Sequence, residues 1–170
     1  MTEVDPVRGL VEIFSRRADD RRGPDGQLHP GDAAAYAQTI ARAAHHGQTD
    51  KAGVPYIHHP ERVAAAVADN DTAVAVAWLH DVVEDTTVTL SDLEALFSPE
   101  IVDAVDAVTR RPGETPDTYY QRVRQNALAV TVKLADIADN SAPTRLAFLD
   151  EAIRNRLTAK YTRARAALTR

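Results

Sequence analysis

Residues 78–86 place four ionisable side chains directly after an apolar segment, and they read Trp78-Leu79-His80-Asp81-Val82-Val83-Glu84-Asp85-Thr86. Side chains three and four positions apart lie on the same side of a helix, so this spacing brings the four polar groups onto adjoining parts of one surface. Burying them beside apolar neighbours is costly unless a cation or hydrogen bonds compensate their charge. The segment therefore favours a metal site.

Two other segments offer further ligands, because two ligands rarely hold a metal ion. His58 and His59 precede Pro60, and the residue before a proline is biased to an extended backbone. Asp136 lies inside an apolar helical segment, with Asn140 one turn further on the same face, and a buried aspartate there needs a partner. A lone His-Asp pair is more often an ordinary polar contact, but the three segments taken together favour a metal site. Two histidines and two aspartates with open positions suit Mn²⁺, and Fe²⁺ or Zn²⁺ less well.

The whole chain has the pattern of a helical protein. Its 170 residues fit one domain, and apolar residues recur at three- and four-residue spacing without strand-like alternation. We expect an all-α bundle in which residues 49–60 and 110–116, rich in proline and glycine, form loops. The predicted helices cover residues 6–18, 32–46, 61–68, 72–83, 89–97, 99–109, a segment from 117, 128–139 and 148–168.

Composition excludes several classes of function. The chain has no cysteine, so disulfides, thiolate catalysis and zinc-cysteine sites are excluded. A net charge of −5 argues against a broad nucleic-acid surface, although it permits a small basic pocket. The chain begins with an acidic segment and has no apolar run near the roughly 20 residues of a membrane span. We therefore expect a cytoplasmic protein with neither a nucleic-acid nor a membrane partner.

The motifs resemble the hydrolase domain of the RelA/SpoT stringent-response family, the HD-fold enzymes that remove the 3′-pyrophosphate from (p)ppGpp. The resemblance covers about residues 33–165, in the family's order. The motifs that carry it are His45-His46-Gly47-Gln48, Lys51-Ala52-Gly53-Val54-Pro55-Tyr56-Ile57-His58-His59-Pro60, Leu79-His80-Asp81-Val82-Val83-Glu84-Asp85-Thr86, Val105-Asp106-Ala107-Val108-Thr109 and Val132-Lys133-Leu134-Ala135-Asp136.

The resemblance implies an HD-domain helical bundle that holds one divalent cation. It selects His59 rather than His58 as the third ligand, and Asp136 rather than Asp139 as the fourth. The implied ligands are His59, His80, Asp81 and Asp136. The HD-type domain would span residues 31–170. Residues 1–30 would form an N-terminal helix and a connecting loop, either part of the same domain or an appendage.

The resemblance also implies how hydrolysis proceeds. The family assigns Glu84 and Asp85 to activating and orienting the water that attacks phosphorus, which agrees with the ability of a carboxylate to accept a proton from metal-bound water. Lys51 and Asn140 are the candidate substrate contacts. We expect a small stand-alone hydrolase that acts on a phosphorylated nucleotide, with homodimerisation left open.

Two departures from the family pattern keep other functions open. Where the family has an Arg-Lys pair after Gly-Gln, with the arginine against the guanine base, this chain has Asp50 and Lys51. The family's Leu-Ala-Asp-Arg-Leu-His-Asn is here Leu134-Ala135-Asp136-Ile137-Ala138-Asp139-Asn140. One alternative is a phosphohydrolase for another nucleotide, such as a dinucleotide 2′-phosphate or a nucleoside monophosphate. Another is a non-catalytic metal-binding sensor, which would not need to retain Glu84 and Asp85.

Overall fold

All regular structure in the described residues is helical, as the sequence predicts. The structure, a computed structural model, describes residues 6–50 and 52–170. Two isolated antiparallel bridges join Arg22 to Leu28 and Thr49 to Pro55. A 3₁₀ turn covers Asp19–Arg21, and the α-helices are α1 (Pro6–Ala18), α2 (Pro30–Ala44), α3 (His58–Ala65), α4 (Asp71–Leu79), α5 (Val82–Asp85), α6 (Leu90–Glu94), α7 (Pro99–Val108), α8 (Pro116–Val123), α9 (Ala127–Asn140), α10 (Pro143–Leu146) and α11 (Glu151–Leu168).

Helix α4 lies in the core and is apolar on every side. It packs against α2, α3, α7 and α9. Its buried residues are Ala73, Ala75, Val76, Ala77, Trp78 and Leu79. The alanines let neighbouring backbones approach closely, and a helix that is apolar all round belongs inside a protein. The residues that follow Leu79 are therefore delivered into the interior of the bundle.

Several helix boundaries agree with the sequence predictions. Helix α1 covers the predicted residues 6–18. Thr89 caps α6 in a reciprocal pair of hydrogen bonds with Asp92, and Pro99 opens α7. Gly47, just after the predicted helix over residues 32–46, has φ of 77°, the left-handed conformation that commonly ends a helix.

The predicted loop over residues 49–60 is wrong at its end. Helix α3 begins at His58, so both histidines and Pro60 lie in its first turn. Proline is accepted there because the first-turn N–H groups have no partner within the helix. The proline that indicated a loop is therefore part of the helix that carries His59.

The single helix predicted over residues 72–83 is also wrong, because the chain breaks between α4 and α5. His80 and Asp81 link the two helices, and Asp81 has φ of −107° and ψ of −5°. The imidazole Nδ1 of His80 bonds the carbonyl of Ala77 at 2.7 Å. A continuing helix would use that carbonyl for the N–H of Asp81, so the side chain competes with helix continuation.

The N-terminal helix contributes to the hydrophobic core. Val7 and Val11 are buried members of it, and α1 packs against α2 and α6. The rings of Phe14 and Tyr36 lie with their centroids 4.7 Å apart. Among residues 6–50 and 52–170, no helix has both the length and the apolar content to cross a membrane.

Candidate metal centre

Three helices that pack against one another bring a cluster of buried polar side chains together. His59 comes from the first turn of α3, His80 from the end of α4 and Asp136 from α9. Their side chains are 4%, 1% and 7% exposed. One ligand atom from each residue lies within 4.8 Å of the others, so the three could hold one metal ion.

The predicted fourth ligand lies beside this cluster. The Nε2 atom of His59 is 3.1 Å from Asp136 Oδ1 and 3.3 Å from Nε2 of His80. Asp81 Oδ2 lies 2.9 Å from His80 Nε2 and 3.7 Å from His59 Nε2. The structure therefore brings together all four side chains that the resemblance implies.

The donor set fits a divalent cation. Because a carbonyl only accepts hydrogen bonds, the contact with Ala77 places a proton on Nδ1 of His80. A neutral His80 then presents the lone pair of Nε2 to the cluster, as a metal-ligating histidine must. Two imidazole nitrogens and two carboxylates that converge in this way are ligands for Mn²⁺, Fe²⁺ or Zn²⁺.

The electrostatics of the cluster show an excess of carboxylate charge. Burial would lower the pKa of His80, but the adjacent Asp81 raises it to about 9. Burial also opposes protonation of His59, whose pKa is nevertheless raised by its hydrogen bonds to Asp136 and Asp139. The pKa values of Asp81 and Asp136 are lowered despite burial, chiefly by His80 and Lys133 respectively. Protons on the imidazoles thus supply positive charge that a cation would also supply.

Two residues of α9 hold Asp136 in place. Lys133 Nζ lies 2.7 Å from Asp136 Oδ2, and Asn140 Nδ2 donates to Asp136 Oδ1 at 2.5 Å. Asn140, a candidate substrate contact, therefore already donates to a candidate ligand. Sequence reasoning missed Lys133 as a site residue, although its position one turn before Asp136 on an apolar helix was a usable signal.

The two carboxylates assigned to water activation differ in their positions. Glu84 lines the cavity beside the cluster, and its Oε2 accepts a hydrogen bond from the backbone N–H of Arg110 at 3.0 Å. Both residues are exposed, but Asp85 is not among the lining residues of that cavity. Partial burial of its carboxyl group raises the pKa of Asp85, and the nearby Asp81 adds to the effect. Lys51, the other candidate substrate contact, lies outside the described residues.

A cavity of about 330 Å³ opens beside the cluster. It contains three cationic side chains and three tyrosines, which suits a phosphorylated ligand that also carries a ring. Sequence reasoning missed Arg110, Lys160 and Tyr161 as site residues. These residues come from the loop after α7 and from α11, so no local spacing connects them to the metal ligands. The lining residues are Tyr56, His59, Asp81, Glu84, Arg110, Tyr120, Lys133, Asp136, Ile137, Asn140, Lys160 and Tyr161.

The chain is similar in sequence to curated proteins whose names refer to (p)ppGpp or guanosine-3′,5′-bis(diphosphate). The bifunctional (p)ppGpp synthase/hydrolase SpoT of Escherichia coli (strain K12) is 45% identical over 78 residues, which is 44% of this chain and 11% of that protein. A probable guanosine-3′,5′-bis(diphosphate) 3′-pyrophosphohydrolase of Synechocystis sp. is 33% identical over 133 residues, which is 70% of this chain and 18% of that protein. The chain thus spans less than a fifth of the length of these relatives.

The fold is similar to that of a solved structure and matches a family model. The structure is that of a metazoan ortholog of SpoT, which hydrolyzes ppGpp and plays a role in starvation responses. It has a TM-score of 0.68 and 24% identity, and the match covers 83% of this chain and 88% of the other. These values confirm the predicted helical fold. Residues 37–139, more than half of the chain, match the model of the HD domain family, and the chain belongs to that family.

Proposed function

We propose that this chain hydrolyses the 3′-pyrophosphate of (p)ppGpp-type guanosine nucleotides with one divalent cation. The observation that carries the proposal is the meeting of two buried imidazoles with the carboxylates of Asp81 and Asp136 beside a cavity that three cationic side chains help to line. The names of the relatives, which refer to (p)ppGpp and guanosine-3′,5′-bis(diphosphate), support this choice of substrate. The proposed ligands are His59, His80, Asp81 and Asp136, and Mn²⁺ is the proposed ion.

The chain's own side chains have distinct parts in the proposed reaction. A bound divalent cation supplies a water of lowered pKa and neutralises phosphoryl charge. Glu84, at the cavity wall, accepts the proton of the attacking water, and Asp85 helps to orient that water. The oxygen of water bonds to the phosphorus next to the ribose 3′-oxygen, and the bond from that phosphorus to the 3′-oxygen breaks. The 3′-oxygen leaves as a hydroxyl after taking up a proton, and pyrophosphate is the second product.

The cavity supplies cations for the remaining phosphates. Arg110 lines it from the loop after α7, with its guanidinium 4.6 Å from the centroid of the Tyr119 ring. Lys160 lines the same cavity from α11. We assign these two side chains to phosphate groups of the nucleotide. Lys51 and Asn140 stay in the proposal as substrate contacts.

A second candidate is hydrolysis of another phosphorylated nucleotide, and Asp50 favours it. The Oδ1 atom of Asp50 accepts hydrogen bonds from the backbone N–H groups of Ala52 and Val54 at 2.9 Å and 3.1 Å. Its Oδ2 lies 3.7 Å from Nη2 of Arg145. A carboxylate held in this way cannot stack on a guanine as a guanidinium does. A substrate without guanine would not need a stacking guanidinium at this position.

The products distinguish the two candidates. Purified protein with Mn²⁺ is incubated with ppGpp, NADPH or a nucleoside monophosphate, and pyrophosphate and orthophosphate are measured separately. The first candidate predicts pyrophosphate from ppGpp, and the same reaction with His80→Ala serves as the control for a contaminating enzyme. Orthophosphate from NADPH or a monophosphate, without turnover of ppGpp, would replace it with the second. Bound metal with no turnover of any of them would overturn both and leave a sensor.

A further inference from the structure

The side of the His59 ring that faces away from the metal cluster contacts a second carboxylate. Nδ1 of His59 lies 2.7 Å from Oδ2 of Asp139, which is one turn after Asp136 on α9. A carboxylate accepts hydrogen bonds, so this contact requires a proton on Nδ1. Asp139 is thus placed behind a candidate ligand and not among the ligands.

Asp139 is itself held by two guanidinium groups. Arg62 donates from Nε to Oδ1 at 2.6 Å and from Nη2 to Oδ2 at 3.1 Å. Nη1 of Arg145 donates to Oδ2 at 2.6 Å and lies 3.5 Å from His59 Nδ1. Because every one of these groups is a donor, the carboxylate stays ionised and fixed as an acceptor.

The opposite nitrogen of the same ring faces competing acceptors. Nε2 of His59 lies 3.1 Å from Asp136 Oδ1 and 3.7 Å from Asp81 Oδ2. Either carboxylate would attract the single proton of a neutral imidazole to Nε2. A proton at that position would occupy the lone pair that a cation needs. The tautomer of His59 therefore depends on which side of the ring binds its proton more strongly.

We propose that Asp139 is a positioning residue that keeps the proton of neutral His59 on Nδ1 and so leaves Nε2 for the cation. Arg62 and Arg145 serve this role by fixing the carboxylate. The contribution of Asp139 to catalysis rests on the proposed metal site. The neighbouring His80 reaches the same state through a backbone carbonyl, so only His59 depends on a side chain for it.

Metal affinity gives the first test. Calorimetric titration with Mn²⁺ is expected to show a roughly 10- to 100-fold weaker affinity in Asp139→Ala, as is usual when the outer partner of a ligating histidine is lost. Asp139→Asn keeps the shape of the side chain but removes the negative charge that makes the imidazole a stronger electron-pair donor to the metal. This variant should therefore also bind Mn²⁺ more weakly. Glu61→Gln is the matched control, because Glu61 lies on α3, the helix that carries His59, and pairs with Arg42 and His58. Wild-type affinity in both Asp139 variants would overturn the proposal.

The position of the ring proton gives a second test that needs no metal. Imidazole ¹⁵N chemical shifts are measured in metal-free protein at the alkaline end of the His59 titration, with circular dichroism to verify folding. We expect Nδ1–H in the wild type and a shift of the proton to Nε2 in Asp139→Ala. An unchanged Nδ1–H form in that variant would contradict the assigned role. If the wild type binds no Mn²⁺, the proposed function fails, while the tautomer measurement still decides the role of Asp139.

Discussion

Lys133 and Asp136 form an ion pair one turn apart on α9, with 2.7 Å between Nζ and Oδ2. Their side chains are 17% and 7% exposed, so water screens the pair only weakly. The ammonium group therefore neutralises one oxygen of a candidate metal ligand and leaves the other turned to His59.

Replacing Lys133 tests the importance of this pair for the fold. Removing one partner of a buried pair typically costs 3–5 kcal/mol, and the partial exposure of Lys133 places our expectation for Lys133→Met at about 3 kcal/mol. Urea denaturation of the metal-free protein measures the loss. Lys133→Arg retains the charge and should keep most of the stability. A Lys133→Met protein as stable as the wild type would show that Asp136 does not need this counter-charge.

Tyr56 should influence the metal site through Asp81. Its hydroxyl donates to Asp81 Oδ2, the oxygen that also faces His80. Tyr56→Phe removes this bond and is expected to weaken Mn²⁺ binding by about 10-fold, because outer partners orient the ligands they contact. Tyr119→Phe is the comparison, since that hydroxyl donates to the backbone carbonyl of Val108. Equal Mn²⁺ affinities in the two variants would show that the Tyr56 hydroxyl does not support metal binding.

The stability of the metal-free protein should fall as the pH rises. Although burial acts against it, Asp81 raises the folded-state pKa of His80 to about 9, above its ordinary value of 6.5. The stabilisation from its proton is therefore complete below about pH 6.5 and is lost as the pH passes through about 9. Thermal melts in the presence of a chelator measure this trend between neutral and alkaline pH. A melting temperature that stays level through this window would contradict it.

Metal binding should show the opposite trend with pH. Protons on His59 and His80 compete with a cation for the same nitrogen atoms. Burial lowers the pKa of each imidazole, but the neighbouring carboxylates raise it by more, so the net shift is upward. We expect the affinity for Mn²⁺ to increase from neutral pH and to level off above about pH 9. Calorimetry at a series of pH values checks this. An affinity independent of pH would mean that these imidazoles do not bind the ion.

Glu84 and Asp85 should be needed for turnover but not for metal binding. The change of Glu84→Gln removes the proposed proton acceptor and is expected to slow hydrolysis by about 10²- to 10⁴-fold. Asp85→Asn is expected to abolish most turnover as well. Both proteins should retain Mn²⁺, measured by elemental analysis after gel filtration. Glu94→Gln on α6 is the surface control. Full activity in both variants would refute the proposed roles.

The sequence was sufficient for the helical class and for the residues that meet at the cluster. Periodic apolar residues and caps such as Thr89 are local signals, and they predicted most of the helices correctly. The spacing of residues 80–85 indicated a metal site, and the family motifs selected the four side chains that the structure brings together. The break after Leu79 was missed because it depends on a side-chain bond from His80 to a backbone carbonyl, which competes with an otherwise favourable helix pattern.

Residues outside the motifs could not be assigned from the sequence, because their roles depend on tertiary packing. Arg110 and Lys160 are 50 positions apart and line one cavity only once α11 has packed against α8 and α9. Asp139 was weighed only as an alternative metal ligand, and the structure places it against Nδ1 of His59 instead. His59 and Asp139 are 80 positions apart, so no local pattern in the sequence indicates their contact.

Anomalous diffraction from crystals soaked in Mn²⁺ would locate the proposed ion itself. Data collected at the manganese absorption edge should show one strong peak within coordination distance of Nε2 of His59, Nε2 of His80 and the carboxylates of Asp81 and Asp136. The peak should be absent from crystals of His80→Ala treated in the same way. No peak in the wild type, or a peak that His59 and Asp136 do not reach, would contradict the account.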